Sequence, residues 1–269
     1  MRIALAQVDA RLGDVEANAR RAREAIADAR AGGADLVVFP ELQLSGYALA
    51  RAERDTARTS AEVADLAAAD GPAALFAFHE RDGARTYNSA AYVEAGAVVH
   101  VHRKLYLVDY APFEEAALFA EGGELRAFDT ALGRFAVLIC NDAWQPFLPV
   151  IAVHDGARVL LVPAASSTAV PEAERYTRGL TRFYARMLQC YVVFVNRVGT
   201  EAGFTFWGGS HVVDPLGEVV LEAPRFDEAI AFGDVDLVRV DERRRELPLV
   251  GEPRLEFLLA ELRRLAAEH

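Results

Sequence analysis

The sequence predicts an α/β fold in which helices cover a mixed sheet, and three observations predict it. Strands of buried type such as "RIALAQV" and "DLVVF" alternate with stretches of helical apolar spacing. Helix-crossover units recur in both halves of the chain, and such units join parallel strands. Hairpin-like and meander-like runs stand between them, and these need antiparallel neighbours. A sheet built from both kinds is mixed.

In chain order, "RIALAQV" reads as a buried strand. "DVEANARRAREAIADARAGG" follows as a helix, with Asp14 as candidate cap and a closing pair at Gly32 and Gly33. "DLVVF" is the second strand of this βαβ opening and ends at Pro40 and Glu41. A helix around Ala61 to Ala69 precedes "AALFAFHE", and "TYNSAAYVEAGAVVHVHRK" reads as a hairpin turning at Glu94 to Gly96. After a long loop come "LRAFDT", "RFAVLIC", a helix from about Gln145 to Asp155 and the strand "VLLVPA". "EAERYTRGLTRFYARMLQ" into "YVVFVNRV" repeats the helix-strand pattern. "GGSHVVDP", "EVVLEAP" and "AIAFGDVD" read as a strand meander before two short helices.

Composition bounds the function. The 269 residues, 52% of them apolar, can bury a substantial core, and no Ser/Gly-rich or Pro-rich linker divides them, so one domain over 1–269 is expected. Twenty-nine basic against 40 acidic residues give a net charge of −11, which argues against nucleic acid or an anionic membrane as partner. Small molecules or proteins are the expected partners. Cys140 and Cys190 cannot make a disulfide framework, and "MRIALAQVDARLGDVEANARR" lacks a charged segment followed by a long apolar one. A reducing, cytoplasmic setting is expected. No run approaches the ~18 apolar residues that span a bilayer.

In α/β sheets functional side chains gather where strands end. Glu41 follows "LVVFP", Lys104 follows "VVHVHR" and Cys140 follows "FAVLI" in the stretch "RFAVLICNDAW". Singly, each has an ordinary reading: a solvated Glu, a surface Lys closing a hairpin, a small core hydrophobe. Together they make a chemically sensible set. A thiol with pKa near ~8.5 is mostly protonated at neutral pH and needs a base or a positive neighbour to act as nucleophile. Glu41 can take the proton, and Lys104 can favour both the thiolate and the oxyanion formed on attack. A turn into a helix after Cys140 would aim backbone N–H groups, that of Asn141 in particular, at the developing charge. That is acyl transfer through a thioester.

The ordered motifs "VVFPEL", "HVHRKLYL" and "LICNDAW" resemble the Glu-Lys-Cys triad of the nitrilase superfamily, the carbon-nitrogen hydrolases. The likeness extends over nearly the whole chain through "RIALAQV", "YNSAAYV", "GARVLLVPA" and "VFVNRVGTEAGFTFWGGSHVVDPLGE". It implies a four-layer αββα sandwich, Cys140 as nucleophile, Glu41 as general base and Lys104 as oxyanion stabiliser. It requires no metal and no cofactor. Members tend to carry a second glutamate in a pattern like Phe-Asp-Glu with Phe four residues later; "PFEEAALFAEGG" places Glu115 in that role, with Glu114 as rival. A second carboxylate near Glu41 raises the pKa of one of the pair and helps it trade protons. The resemblance also implies a homodimer or larger homo-oligomer, pairing beside the cysteine-bearing helices, and "PFLPVIAV" supplies apolar surface for it. In the nitrile-specific branch the cysteine is typically followed by Trp and Glu. Here Asn141 and Asp142 follow, and with "NRVGTE" and "GGS" the likeness leans to amidases and carbamoylases.

Other candidates are weaker. His100 and His102 share a strand face, yet no third ligand has metal-site spacing. "GGSHV" has part of a nucleophile elbow but lacks the closing glycine. No P-loop or dinucleotide fingerprint is present. Cys190 reads as core, and Asp142 and Trp144 as supports of the cysteine turn. The reading is a metal-free hydrolase of a small amide or N-carbamoyl compound. Its alternatives are a glutamine-hydrolysing subunit feeding ammonia to a separate synthetase, which a chain of this length would need as a partner, and a silent scaffold of the same fold. Specificity is expected in the loops Ser45 to Thr59, Leu105 to Glu121 and Ala164 to Thr177. Arg175 or Arg178 could meet a substrate carboxylate, or could be solvated helix charges.

Overall fold

The computed structural model describes residues 1–110 and 112–268. β1 (Arg2–Gln7) leads into α1 (Val15–Ala31), where the Asp14 side chain accepts from the Ala17 amide and Gly32 follows the last turn. The buried face of α1 carries Ala22, Ala25, Ile26 and Ala29, the i, i+3, i+4, i+7 spacing of one helical stripe. β2 (Leu36–Val38) comes next. α2 (Ser60–Ala64) starts in a Thr59–Glu62 capping box and is shorter than its apolar pattern suggested. Beyond Ala64 the chain tightens into i→i+3 turns at Leu66 and Ala67 and stops being α-helical.

β3 (Ala73–Asp82), β4 (Arg85–Glu94) and β5 (Ala97–Arg103) form an antiparallel run. Ala95 and Gly96 both have positive φ, 51° and 74°, as a tight primed hairpin turn demands. β6 (Phe128–Thr130), β7 (Gly133–Val137), α3 (Phe147–His154), β8 (Val159–Ala164), α4 (Ala173–Leu188) and β9 (Tyr191–Asn196) follow. The hairpin β10 (Val198–Glu201) with β11 (Phe204–Trp207), then β12 (His211–Val213), β13 (Val219–Glu222), β14 (Ala229–Asp234), α5 (Val238–Glu246) and α6 (Leu255–Glu268) complete the chain.

Two six-stranded mixed sheets result, ordered β14-β1-β2-β3-β4-β5 and β13-β12-β9-β8-β7-β6. The expected meander is therefore split. β12 and β13 stay in the second sheet, whereas β14 crosses back and pairs antiparallel with β1 from Arg2↔Asp234 to Gln7↔Ala229.

The layers follow from strand alternation. Leu5, Val38, Leu75 and Tyr92 of the first sheet meet Phe135, Val137, Leu161 and Val193 of the second in an apolar central core. The opposite residues of the first sheet, Ala4, Val37 and Phe76 among them, pack against α1 and α2. Those of the second, such as Ala136, Leu160 and Val192, pack against α3 and α4. This is the αββα sandwich. The two outer layers differ in cover: Phe147 and Ile151 on α3 and Phe183 and Met187 on α4 remain exposed, and α6 buries no residue. Among the described residues no helix is long and apolar enough to cross a membrane.

The helix expected from about Gln145 to Asp155 is present, but the chain does not turn directly into it after Cys140. A five-residue 3₁₀ turn, Cys140–Trp144, comes first, and α3 begins only at Phe147. Pro146 explains the break. It forces Gln145 out of the helical region, to φ −95° and ψ 103°, so the apolar spacing continues through the sequence while the helix does not.

Candidate active site

The three strand-end residues converge. Glu41 stands just past β2, and its amide donates to the Ala164 carbonyl at the end of β8 (3.3 Å), which ties the two sheets together at this spot. Lys104 follows β5, held by its amide on the Asn88 carbonyl (2.8 Å) and by its own carbonyl, which accepts from the Gly122 amide (2.8 Å). Cys140 follows β7 with φ +46°, a left-handed conformation that non-glycine residues adopt at a cost of order 1–3 kcal/mol. The surrounding contacts hold it there.

Lys104 Nζ donates to Glu41 Oε1 (2.7 Å) and to Glu115 Oε1 (2.8 Å), all three side chains being buried. Glu41 also accepts from Asn88 Nδ2 through Oε1 (2.8 Å) and from the Ala165 amide through Oε2 (2.8 Å). Glu115 accepts from the Tyr47 hydroxyl (2.6 Å) and the Val108 amide (3.0 Å). A buried ion cluster is tolerable only when its remaining lone pairs are satisfied, and here the carboxylates are. The fold thus brings Glu115 to the lysine, while Glu114 lies exposed. Burial works against the charge of Lys104, but Glu115 and Glu41 outweigh it and hold the ammonium well above its usual pKa. Burial pushes the Glu115 carboxyl up, against the pull of Lys104.

Asp142 fastens the cysteine turn to the lysine strand. Its Oδ1 accepts from the Leu105 and Tyr106 amides (3.0 and 2.9 Å), and its Oδ2 accepts from the Ile139 amide (3.1 Å) and pairs with His102 Nε2 (2.9 Å). Asn141 is tied by its side chain, which donates to the Tyr106 carbonyl (3.1 Å). The histidine pair is accounted for in the same way: His102 is taken by Asp142, and His100 stacks on Phe128 at 4.3 Å, where burial lowers its pKa to about 4. Among the described residues no group of three or more His, Cys, Asp and Glu is placed to hold a metal.

The electrostatics of the thiol correct one expectation. Burial and the Glu41 carboxylate push Cys140 well above the ordinary thiol range, and Lys104 offsets only part of this. The α-helix that was to add its dipole begins seven residues further on, at Phe147. At rest the group is a thiol beside a carboxylate, and attack on a carbonyl would require its proton to leave. A nucleophile, a base and a buried cation arranged in this way can carry out acyl transfer.

A cleft beside Cys140 is lined by Tyr47, Val108, Tyr110, Phe113, Trp144 and Ala165, among others. All three expected specificity loops contribute to it; Ala111, in the second, lies outside the described residues. No charged side chain lines the cleft among the described residues. Arg175 and Arg178 do not reach it. Arg175 pairs with Glu172, and Arg178 with Glu174 and Glu222. Cys190 is fully buried in the apolar cluster beneath α3 and α4.

Sequence reasoning missed Tyr47 and Asn88. "YNSAAYV" and "NRVGTE" were noted as motifs, but no spacing shows that Asn88 meets a carboxylate 47 positions earlier.

The family model described as carbon-nitrogen hydrolase matches residues 2–245. A glutamine-dependent NAD(+) synthetase from Thermotoga maritima is 32% identical over 266 residues, covering 94% of this chain and 46% of that protein. An N-carbamoylputrescine amidase from Arabidopsis thaliana is 27% identical over 256 residues, covering 86% and 85%. Among solved structures, a carbon-nitrogen hydrolase from Helicobacter pylori superposes with a TM-score of 0.83 at 25% identity, over 97% of this chain and 98% of that one. The chain spans less than half the length of the NAD(+) synthetase that it matches.

Proposed function

Because the chain belongs to the carbon-nitrogen hydrolase family of the nitrilase superfamily, we propose that it hydrolyses a small amide or N-carbamoyl compound through a thioester on Cys140. In this reading Sγ attacks the carbonyl carbon while Glu41 takes the thiol proton. The oxygen of the tetrahedral intermediate faces Lys104 and the turn amides. Glu41 returns the proton to the leaving nitrogen, ammonia or an amine departs, and a water that Glu41 deprotonates then releases the acid. Glu115 holds Lys104 in place.

The cleft carries the choice of substrate. Aromatic and small side chains line it, and a neutral acyl group can enter without stranding a charge, whereas burying an unpaired carboxylate or ammonium costs several kcal/mol. This favours an uncharged amide. A second reading, glutamine hydrolysis that supplies ammonia to a synthetase, is favoured by the 94% of the chain matched to an NAD(+) synthetase. The two separate in one experiment. Ammonia release is measured from aliphatic amides, N-carbamoyl amines and amino acids, the matching nitriles, and glutamine. The proposal expects the uncharged amides to be the better substrates by kcat/KM. A nitrile or glutamine preferred tenfold, about 1.4 kcal/mol of transition-state discrimination, overturns it.

A further inference from the structure

A second buried ion pair stands behind the first. Arg197, fully buried, donates through Nη1 to Glu201 Oε2 (3.0 Å) and through Nη2 to Asp9 Oδ1 (3.0 Å) and the Ala10 carbonyl (2.9 Å), with its guanidinium 4.2 Å from the centre of the Phe206 ring. The other oxygen of Glu201, Oε1, accepts from two successive backbone amides, Tyr47 (2.8 Å) and Ala48 (2.7 Å). The Tyr47 hydroxyl then donates to Glu115 Oε1, the same oxygen that accepts from Lys104. Neither Arg197 nor Glu201 lines the cleft.

We propose that Arg197 and Glu201 are positioning residues for the reaction: by gripping the backbone at Tyr47 they seat its hydroxyl on Glu115 and so govern the charge that Glu115 presents to Lys104 and the thiol. This rests on the hydrolase reading above. Packing alone does not call for such a device, since an apolar pair of similar volume would hold the loop without burying two charges. What a carboxylate adds is one acceptor for two adjacent amides. The loop is seated as closely as a chain can be: Gly46 has φ +80°, and a Cβ there would lie 2.6 Å from Glu201 Oε2 and 2.8 Å from Leu12 Cα. A side chain at that position would lift Tyr47 off its partner.

The titratable groups facing Glu115 are Lys104, Glu41, Tyr47, Cys140 and Tyr110. Burial, with Glu115 and Glu41, holds the Tyr47 hydroxyl well above its usual pKa, so it stays protonated and always donates. Its hydrogen bond favours the ionised form of Glu115, against burial, which favours the neutral one. Losing the donor makes Glu115 take up its proton at higher pH. Turnover that needs the ionised form is then lost earlier as pH falls.

The test is the pH profile of kcat/KM on an amide substrate, with iodoacetamide labelling of Cys140 followed in parallel. Tyr47→Phe keeps the ring against Phe113 and Phe204 and removes only the hydroxyl. Its acid limb is expected to move up by about half a pH unit or more, the effect of one lost hydrogen bond. Glu201→Ala should reproduce the shift, and Glu201→Gln, which keeps the acceptor, should return most of it. A Tyr47→Phe profile that superposes on the wild type, with turnover and labelling intact in both, overturns this inference alone. A wild type that neither turns over an amide nor labels at Cys140 removes the hydrolase reading and this inference with it.

Discussion

Cys140 and Cys190 both sit where a strand meets a helical segment, and both thiols are pushed up in pKa, yet they occupy different chemical worlds. Cys190 lies between α4 and β9, fully buried among side chains such as Ala185, Val192 and Leu188, and burial, against the pull of Arg244, lifts it to about 12. Cys140 is half-buried, in a left-handed turn, with a carboxylate and an ammonium acting on it from the first sheet. Burial makes a thiol inert. A partner able to take the proton makes the same elevated pKa compatible with attack.

The largest expected effect separates the pair outright. Cys140→Ala should cost at least about 10³-fold in turnover, as removal of a nucleophile does. Cys190→Ala should leave turnover within about twofold and lower stability by about 1 kcal/mol, the scale of a small buried group removed from a core. Amide hydrolysis and thermal melts on both variants check this, and equal losses of turnover would erase the distinction.

Next come the charges that act on Cys140. Glu41→Gln and Lys104→Gln should each slow turnover by on the order of 10²-fold or more. Their effects on alkylation should run in opposite directions. Glu41 raises the thiol, so its loss lets the thiolate form at lower pH and labelling speeds up at neutral pH; Lys104 lowers the thiol, so its loss delays labelling to higher pH. Rates of iodoacetamide reaction against pH give both signs. The same sign in both variants would mean that the two charges do not act on the thiol as placed here.

The smallest effect is in the wild type. Labelling followed by peptide mapping should find Cys140 modified first and Cys190 only on unfolding, because access and not thiol pKa divides them. Cys190 labelled first in the folded protein would break the comparison.

Much of this was legible in the sequence because the signals are local. Apolar runs marked β1, β2, β8 and β9, and polar residues ending such runs marked Glu41, Lys104 and Cys140. The helix expected from about Gln145 to Asp155 is found at Phe147–His154, but the 3₁₀ turn that separates it from Cys140 was not legible, because periodicity carries no sign of the turn that ends before Pro146. The return of β14 to β1 is a pairing across more than 200 residues and leaves no mark on either strand. Glu115 and Glu114 look alike in "PFEEAA"; they are told apart only where the 3₁₀ turn at Glu115–Ala117 and Tyr47 fix which one faces inward. Tyr47, Arg197 and Glu201 act by contact across about 150 positions, beyond any motif.

Glu41 and Lys104 come from one sheet and Cys140 from the other, joined by the bond from the Glu41 amide to Ala164 and by the grip of Asp142 on Leu105 and Tyr106. A nascent chain therefore carries two ordinary thiols and no reactive centre. Under the proposed mechanism, base, cation and thiol meet only when the two sheets dock, so recovery of turnover on refolding is expected to report that docking.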